Sequence, residues 1–335
     1  MQEKYIIKCN RTEIFFVNRV FSLTDLRYVG ILGGIILTCI TILGFRLYDI
    51  FYYLFISSVL GWMMETTLVS YKSRQFVNRG FLNGFYCPIY GVGICCVILL
   101  FSSIKDNLIL LFLGGFFLTS ILEYFTSWVM ETLFHARWWD YSQFRWNING
   151  RICLSISLAW GILIVVTVRF VHSFFAQLVH SIPLPFGEIL ATILLIAFFV
   201  DLFISLYGAS KFSSKLKYLT EIRKEFVALV EQSKFYEEFD EIKTKVMSER
   251  FVQITAKITQ NIREKLSATG VNGMHVIFKA IDGITEKYDK STEKISMMEK
   301  RFLKAYPNLI SSKAANIVND IRDTIHKSKN AKKGE

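Results

Sequence analysis

The chain has 335 residues, 52% of them hydrophobic and 20% charged, with a formal net charge of +11. So much apolar surface, with a charged fraction below the roughly 25% of a soluble domain, excludes an ordinary water-soluble globule and points to a membrane protein. The charge is unevenly placed: from Lys211 onward 25 Lys plus Arg stand against 17 Asp plus Glu, net +8, which marks off a separate, water-facing tail.

In chain order, the first 27 residues carry Lys4, Lys8, Arg11, Arg19 and Arg27 with no short apolar core and cleavage site. They read as a retained cytoplasmic segment rather than a signal peptide. Six nearly uncharged apolar runs follow, at about 28–44, 48–71, 84–104, 107–135, 151–174 and 188–207. Each approaches the 17–25 helical residues that a hydrocarbon core of roughly 30 Å requires. The first is short, and its turn at Arg46 is tight.

Basic residues in the short connections fix the expected orientation. Lys72, Arg74, Arg79, Arg137, Arg145 and Arg151 join the N-terminal charges on one side, against Arg46, Lys105 and Arg169 on the other. Both termini and loops 72–83 and 136–150 are therefore expected in the cytoplasm of a multi-pass cell-membrane protein. The six cysteines, Cys9, Cys39, Cys87, Cys95, Cys96 and Cys153, fall in helices or on the reducing side, so no disulfide framework is expected. No spacing resembles a metal or haem site, and no cofactor is expected.

The chain matches itself at an offset of 66 without a gap. Trp62, Met64, Glu65, Thr66, Arg79, Asn83, Gly84 and Cys87 pair with Trp128, Met130, Glu131, Thr132, Arg145, Asn149, Gly150 and Cys153. A duplicated helical hairpin, about 48–104 and 107–174, explains this as a parallel repeat. Equal offsets place Glu65 and Glu131 at equal depth, in the cytoplasmic half. Glu123, Ser127 and Glu131 share one helix face, as do Ser57, Gly61 and Glu65. Such stripes pack against helices or line water, because lipid offers a carboxylate no partner.

A charge near the bilayer centre costs about 3 kcal/mol or more and is kept with a partner or a job. Glu65 and Glu131 therefore either form a shared proton, cation or substrate site or act as struts to Arg79, Arg145 or Arg151. The dipeptides Asn83-Gly84 and Asn149-Gly150 read as helix caps and turns, with an anion site beside Arg79 or Arg151 as the other reading. Pro88 suits a first helical turn. With Gly91 and Gly93 it marks either an ordinary helix entry with close packing or a break at a substrate site. Trp138, Trp139 and Tyr141 read as an interfacial aromatic belt. Asp140 is a candidate partner of Arg137, Arg151 or another subunit. Asp201 is a third intramembrane acid, which either completes a polar cavity with Glu65 and Glu131 or bonds Tyr207 or a serine.

The stretches "NRGFLNGFYCPIYGVG" (78–93) and "WWDYSQFRWNINGRICLSISLAWG" (138–161) resemble the ABC-transporter permease family sometimes called type IV, over about residues 48–175. The family often has proline where this chain has Phe85, while Cys87 to Gly91 is intact. "FLKAYPNL" (302–309) is similar to a tail segment of longer members. The resemblance implies a polytopic bacterial permease with no known substrate and no settled catalytic residue. It also implies a separate ATPase subunit docking on loops 72–83 and 136–150, since the chain has no Gly-x4-Gly-Lys-Ser/Thr phosphate loop.

In the tail, Ile254, Ile258, Ile262 and Leu266 recur every four residues, and Phe235, Phe239, Ile242 and Val246 nearly so. Gly270 to Gly273 breaks the pattern, and helices are expected at about 274–304 and 308–328, separated by Pro307. Their apolar faces must bury on one another or on a partner. The net positive charge suits anionic lipids, and no nucleic-acid motif accompanies it.

The predicted fold is all-α: a membrane bundle of about six transmembrane helices over 28–207, with a cytoplasmic helical domain over 208–335. The leading function is a permease or permease-like subunit whose pathway is lined by Glu65, Glu131, Glu123 and Asp201. A partner-recruiting scaffold, or a lipid-modifying enzyme using Glu65, Glu131 or Asp140 with Arg79 or Arg151, are the rivals. Expected partners are membrane lipids and an ATPase subunit, with a homo-oligomer left open.

Overall fold

Apolar runs become helices because, away from water, a backbone must satisfy its own amides and carbonyls. A computed structural model describes residues 6–9, 12–15, 37, 40–101, 104, 106–232, 245–246, 249–269, 275–306, 309–311 and 316–331. Strands β1 (Ile6–Cys9) and β2 (Thr12–Phe15) pair antiparallel, as do β3 (Thr41–Ile42) and β4 (Phe45–Arg46). Helices α1 (Leu47–Ser73), α2 (Pro88–Phe101) and α3 (Leu108–Phe134) follow. After short strands β5 (Ala136–Arg137), β6 (Asn147–Ile148) and β7 (Ile152–Cys153), α4 (Leu154–Val166) continues through a π-helical turn, Thr167–Val171, into α5 (His172–Ser181). Then comes α6 (Leu184–Gln232), 49 residues long. The tail contains α7 (Phe251–Thr269), α8 (His275–Glu293), α9 (Met297–Ala305), β8 (Ile310–Ser311) and α10 (Ile317–Ala331).

Among the described residues four helical stretches are long and apolar enough to cross a membrane: α1, α3, the joined run Leu154–Ser181 and α6, with α2 as a shorter apolar helix. The chain is an all-α membrane protein. Most of the expected first span, 28–44, lies outside the described residues. Its end is corrected: Thr41–Arg46 is a tight hairpin that turns at Leu43 and Gly44, both at positive φ. Also outside the described residues are Phe235, Phe239, Ile242, Gly270 to Gly273 and Pro307, and the side chains of Ile262 and Leu266.

Local chemistry sets the helix ends. Arg46 grips Asp49 in the first turn of α1 with two hydrogen bonds, 2.8 and 2.9 Å, and the acid there complements the helix dipole. Arg74 ends α1 in the left-handed conformation, its amide bonded to the Tyr71 carbonyl. Pro88 opens α2, where a missing amide costs nothing. The expected helix entry there is what the structure shows.

The chain divides into two compact units, one from residues 1–122 and 154–203, the other from 123–153 and 204–335. In the first, Tyr48, Tyr52, Tyr53, Cys95, Ile98, Phe175 and Val179 form the core. Helix α2 lies against α1 because Gly61 and Gly91 have no side chain: a Cβ at either would collide with the Tyr90 ring or with Leu54 and Ser58. Close packing, rather than a kink, is thus the use of Gly91.

In the second unit, Phe212, Leu216, Leu219, Ile222, Phe226 and Val230 of α6 are buried, as are Phe251, Ile254, Ile258, Ile281, Tyr288, Ile317 and Ile321 of the tail, and Phe251 meets both Phe226 and Tyr288. The tail's apolar faces are therefore buried on one another. Inside this core Arg223 is fully buried and bonds Asp320 at 2.6 Å, the Tyr288 hydroxyl, and the carbonyls of Val246 and Glu249. Each of these groups accepts from the guanidinium, which is what a buried cation requires. Burial pushes the Tyr288 hydroxyl above the usual tyrosine range, against the pull of Arg223.

Candidate functional site

Helix α1 ends at Ser73, yet α2 does not begin near that end. The connecting segment runs back along α1. The Val77 amide donates to Ser70 Oγ (3.0 Å), the Arg79 amide to Thr66 Oγ1 (3.3 Å), Trp62 Nε1 to Asn78 Oδ1 (2.8 Å) and the Cys87 amide to the Ser58 carbonyl (2.9 Å). Ser70, Thr66, Trp62 and Ser58 are spaced by four and share one helix face. From Ser73 back to Ser58 is about 22 Å at 1.5 Å per residue. The segment 77–87 is therefore re-entrant. It also explains why α2 has 14 residues, since non-helical chain covers part of that crossing.

Non-helical backbone at such depth needs protein partners. Asp201 of α6 supplies them. Its Oδ1 accepts from the Asn83 amide (3.0 Å) and the Asn83 side chain (2.8 Å), its Oδ2 from the Gly84 amide (2.7 Å) and the Tyr86 hydroxyl (2.9 Å). This corrects one expectation. Asn83 caps no helix, because α2 starts five residues later. Asp201 clasps the 83–86 turn, while Tyr207 lies under Lys211.

At the same segment Glu65 accepts from Arg79 Nε (3.1 Å) and from the Tyr90 hydroxyl (2.6 Å). The Glu65 side chain is 34% exposed and Arg79 19%. From Arg46 to Glu65 is about 28 Å of helix, close to the full thickness of a roughly 30 Å hydrocarbon core. An ion pair there sits at a boundary, where charge costs less than at the centre. Ser57 and Gly61, on the same face, are buried as the stripe predicted.

The second segment, 139–153, also folds back. The Tyr141 hydroxyl reaches Glu123 Oε1 (3.0 Å), eleven residues before α3 ends, and Asn149 Nδ2 donates to the Tyr124 hydroxyl (3.0 Å). Glu131 holds two guanidinium groups, Arg151 at 2.6 Å and Arg137 at 3.1 Å. Arg151 also stacks on Tyr124, and its carbonyl accepts from Trp139 Nε1 (3.1 Å). Glu123 and Ser127 are buried, so this stripe too faces inward. Asn149 and Gly150 adopt positive φ in the β6–β7 turn, and again no helix is capped.

Three predicted site residues stand elsewhere. Arg145, the counterpart of Arg79, is exposed and in no ion pair among the described residues. Asp140 accepts from the Ser142 amide and hydroxyl and lies against Gly150, instead of meeting Arg137 or Arg151. Trp138 is 2% exposed and no part of an interfacial belt: Phe302 and Tyr306 meet it edge-on at 4.9 Å each, and β5 pairs with β8 beside it. The tail motif thus fills the surface of Trp138 from within the chain.

The residues overlooked in the sequence are Tyr86, Tyr90, Tyr124 and Thr66, with Arg137 as a partner of Glu131. The intact motif Cys87 to Gly91 contained the signal for Tyr90. Among the described residues no group of His, Cys, Asp or Glu could hold a metal. Taken together, each of the two segments has beside it a glutamate paired with arginine.

A family model described as "Putative ABC-transporter type IV" matches residues 52–206. That match covers both re-entrant segments and Asp201. No curated protein matches, and no solved structure matches.

Proposed function

From the membership of its membrane region in this type IV ABC-transporter family, we propose that the chain is a permease-like subunit working with a separate ATPase. The observation that supports it is the re-entry of segment 77–87 along α1, which starts α2 about 22 Å inside the end of its neighbour. Transporters build substrate and ion sites from such interrupted crossings, where irregular backbone lines a path instead of facing lipid. In this reading Glu65 and Asp201 are the acids beside the first re-entrant segment and Glu123 and Glu131 those beside the second, with Arg79 and Arg151 holding Glu65 and Glu131 in place. Both termini face the cytoplasm, and loops 72–83 and 136–150 face the ATPase, which contacts parts of 136–150 other than the covered Trp138 and the turn 144–148.

The test is recovery of the tagged full chain from native membranes. The expected result is a co-purified ATPase, lost when Lys72, Arg74 and Gln75, exposed in loop 72–83, are all replaced by glutamate. Two results overturn the reading. One is lipid turnover by the purified chain alone, abolished by Glu131→Gln, which makes it an enzyme. The other is full function after Glu65→Gln plus Glu131→Gln but none after removal of residues beyond Lys211, which makes it a scaffold.

A further inference from the structure

The turn between Tyr141 and Gly150 is held from inside. The Tyr141 amide donates to the Gly150 carbonyl (2.7 Å), the Phe144 amide to the Tyr141 carbonyl (2.8 Å), Asn147 Nδ2 to the Phe144 carbonyl (2.8 Å), and the Gly150 amide to Asn147 Oδ1 (3.0 Å). What this closed turn presents outward is unlike a solvated loop. Phe144 is 48% exposed, Trp146 80% and Ile148 56%, with Arg145 exposed between them. Trp146 is held at φ 56°, a left-handed conformation that a bulky residue adopts only under constraint.

The depth of the turn follows from its tethers. Far-side water is marked by the ion pair of Asp106, 83% exposed, with Arg169, next to Asn107, whose side chain accepts the Leu110 amide at the start of α3. From Asn107 to Tyr124, where Asn149 is tied, α3 rises about 26 Å. Against a hydrocarbon core of roughly 30 Å, the turn hangs at the near boundary between acyl chains and headgroups. Aromatic rings with an apolar body and a polar edge favour that layer, and a guanidinium there meets headgroup phosphates.

We propose that residues 144–148 form a membrane-surface anchor: Phe144, Trp146 and Ile148 enter the headgroup boundary of the leaflet, and Arg145 pairs with the phosphate of an anionic lipid. The turn is preorganised, so its side chains reach the lipid with little further ordering. This gives Arg145 a role distinct from that of its counterpart Arg79, which holds a carboxylate of its own chain.

The test uses the full chain in nanodiscs of phosphatidylcholine and phosphatidylglycerol. Trp146 is one of six tryptophans, so its emission is taken as the difference between the unaltered chain and Trp146→Phe. The expected result is strong quenching by a nitroxide high on the lipid acyl chain, and weak quenching by aqueous iodide or by a nitroxide at the chain end. Stronger quenching by iodide overturns the proposal. Shielding from all three quenchers overturns it too, since a protein surface then covers the turn. Arg145→Glu is expected to lower the preference for phosphatidylglycerol about fivefold, corresponding to roughly 1 kcal/mol per basic side chain at an anionic surface. Arg145→Lys retains the preference. An unchanged preference in Arg145→Glu, with its far-UV circular dichroism and elution intact, overturns the pairing with lipid.

Discussion

The two re-entrant segments descend from matching sequence and are secured by different hands. The first, 77–87, is clasped from outside its hairpin by the Asp201 carboxylate, and Thr66 and Trp62 bond to it directly. In the second, the matching Thr132 hydroxyl turns back to its own helix at the Trp128 carbonyl, and Trp128 is 48% exposed. There Tyr141, Asn149 and Arg151 make the attachments, and Trp138 adds a mooring to the tail. Both glutamates keep an arginine, but not the matching one: Arg79 serves Glu65, whereas Arg151 and Arg137 serve Glu131. The comparison shows that two stretches of matching sequence share a path of the chain and a glutamate–arginine ion pair, while their individual contacts differ.

The largest expected effect strikes the second segment alone. Trp138→Ala removes a fully buried indole from between Phe302 and Tyr306 and should cost about 3–5 kcal/mol. Hydrogen exchange should quicken over 136–153 and 297–311 and stay unchanged over 77–87. Faster exchange in both segments would show that they are not independently held.

Asp201→Ala is the converse, confined to the first segment. It leaves two amides, the Asn83 side chain and the Tyr86 hydroxyl without their acceptor, at about 3 kcal/mol, with Asp201→Asn intermediate because one oxygen remains. Thermal unfolding of the detergent-solubilised chain measures both.

Glu131→Gln should cost about 2 kcal/mol and Glu65→Gln about 1 kcal/mol, since the first leaves two guanidinium groups short of charge and the second leaves one, more exposed. Equal losses in paired melting curves would mean that the second arginine contributes nothing. The smallest effect is at Arg145, where Arg145→Ala should shift stability in detergent by no more than about 0.5 kcal/mol, because an exposed side chain with no ion pair among the described residues has little to lose. A larger loss would restore Arg145 as the true counterpart of Arg79.

Much of this frame was legible in the residues. Apolar runs gave the helices. The offset of 66 gave Glu65 and Glu131, and four-residue spacing put Ser57, Gly61 and Glu123, Ser127 on inward faces, where the structure has them buried. Arg79 and Arg151 were nameable as partners because the cost of a lone charge demands one nearby. The turns were not legible, because an Asn-Gly pair announces a change of direction without saying whether a helix starts there or five residues on. Nor were the contacts of Asp201 and Trp138, whose partners lie 118 and 164 residues away in the chain. Periodicity reports which face is buried and is silent on what buries it.

Arg223 and Asp320 lie 97 positions apart, and their contact has a bearing on biosynthesis. A ribosome makes the cation long before its carboxylate, so the core around Arg223 cannot close with its charge answered until translation has passed residue 320. A chain that stopped short of that point would retain an unanswered buried charge, a defect worth about 3–5 kcal/mol, and would leave apolar helix faces open to proteases. The ion pair therefore lets the tail consolidate only in molecules synthesised beyond Asp320.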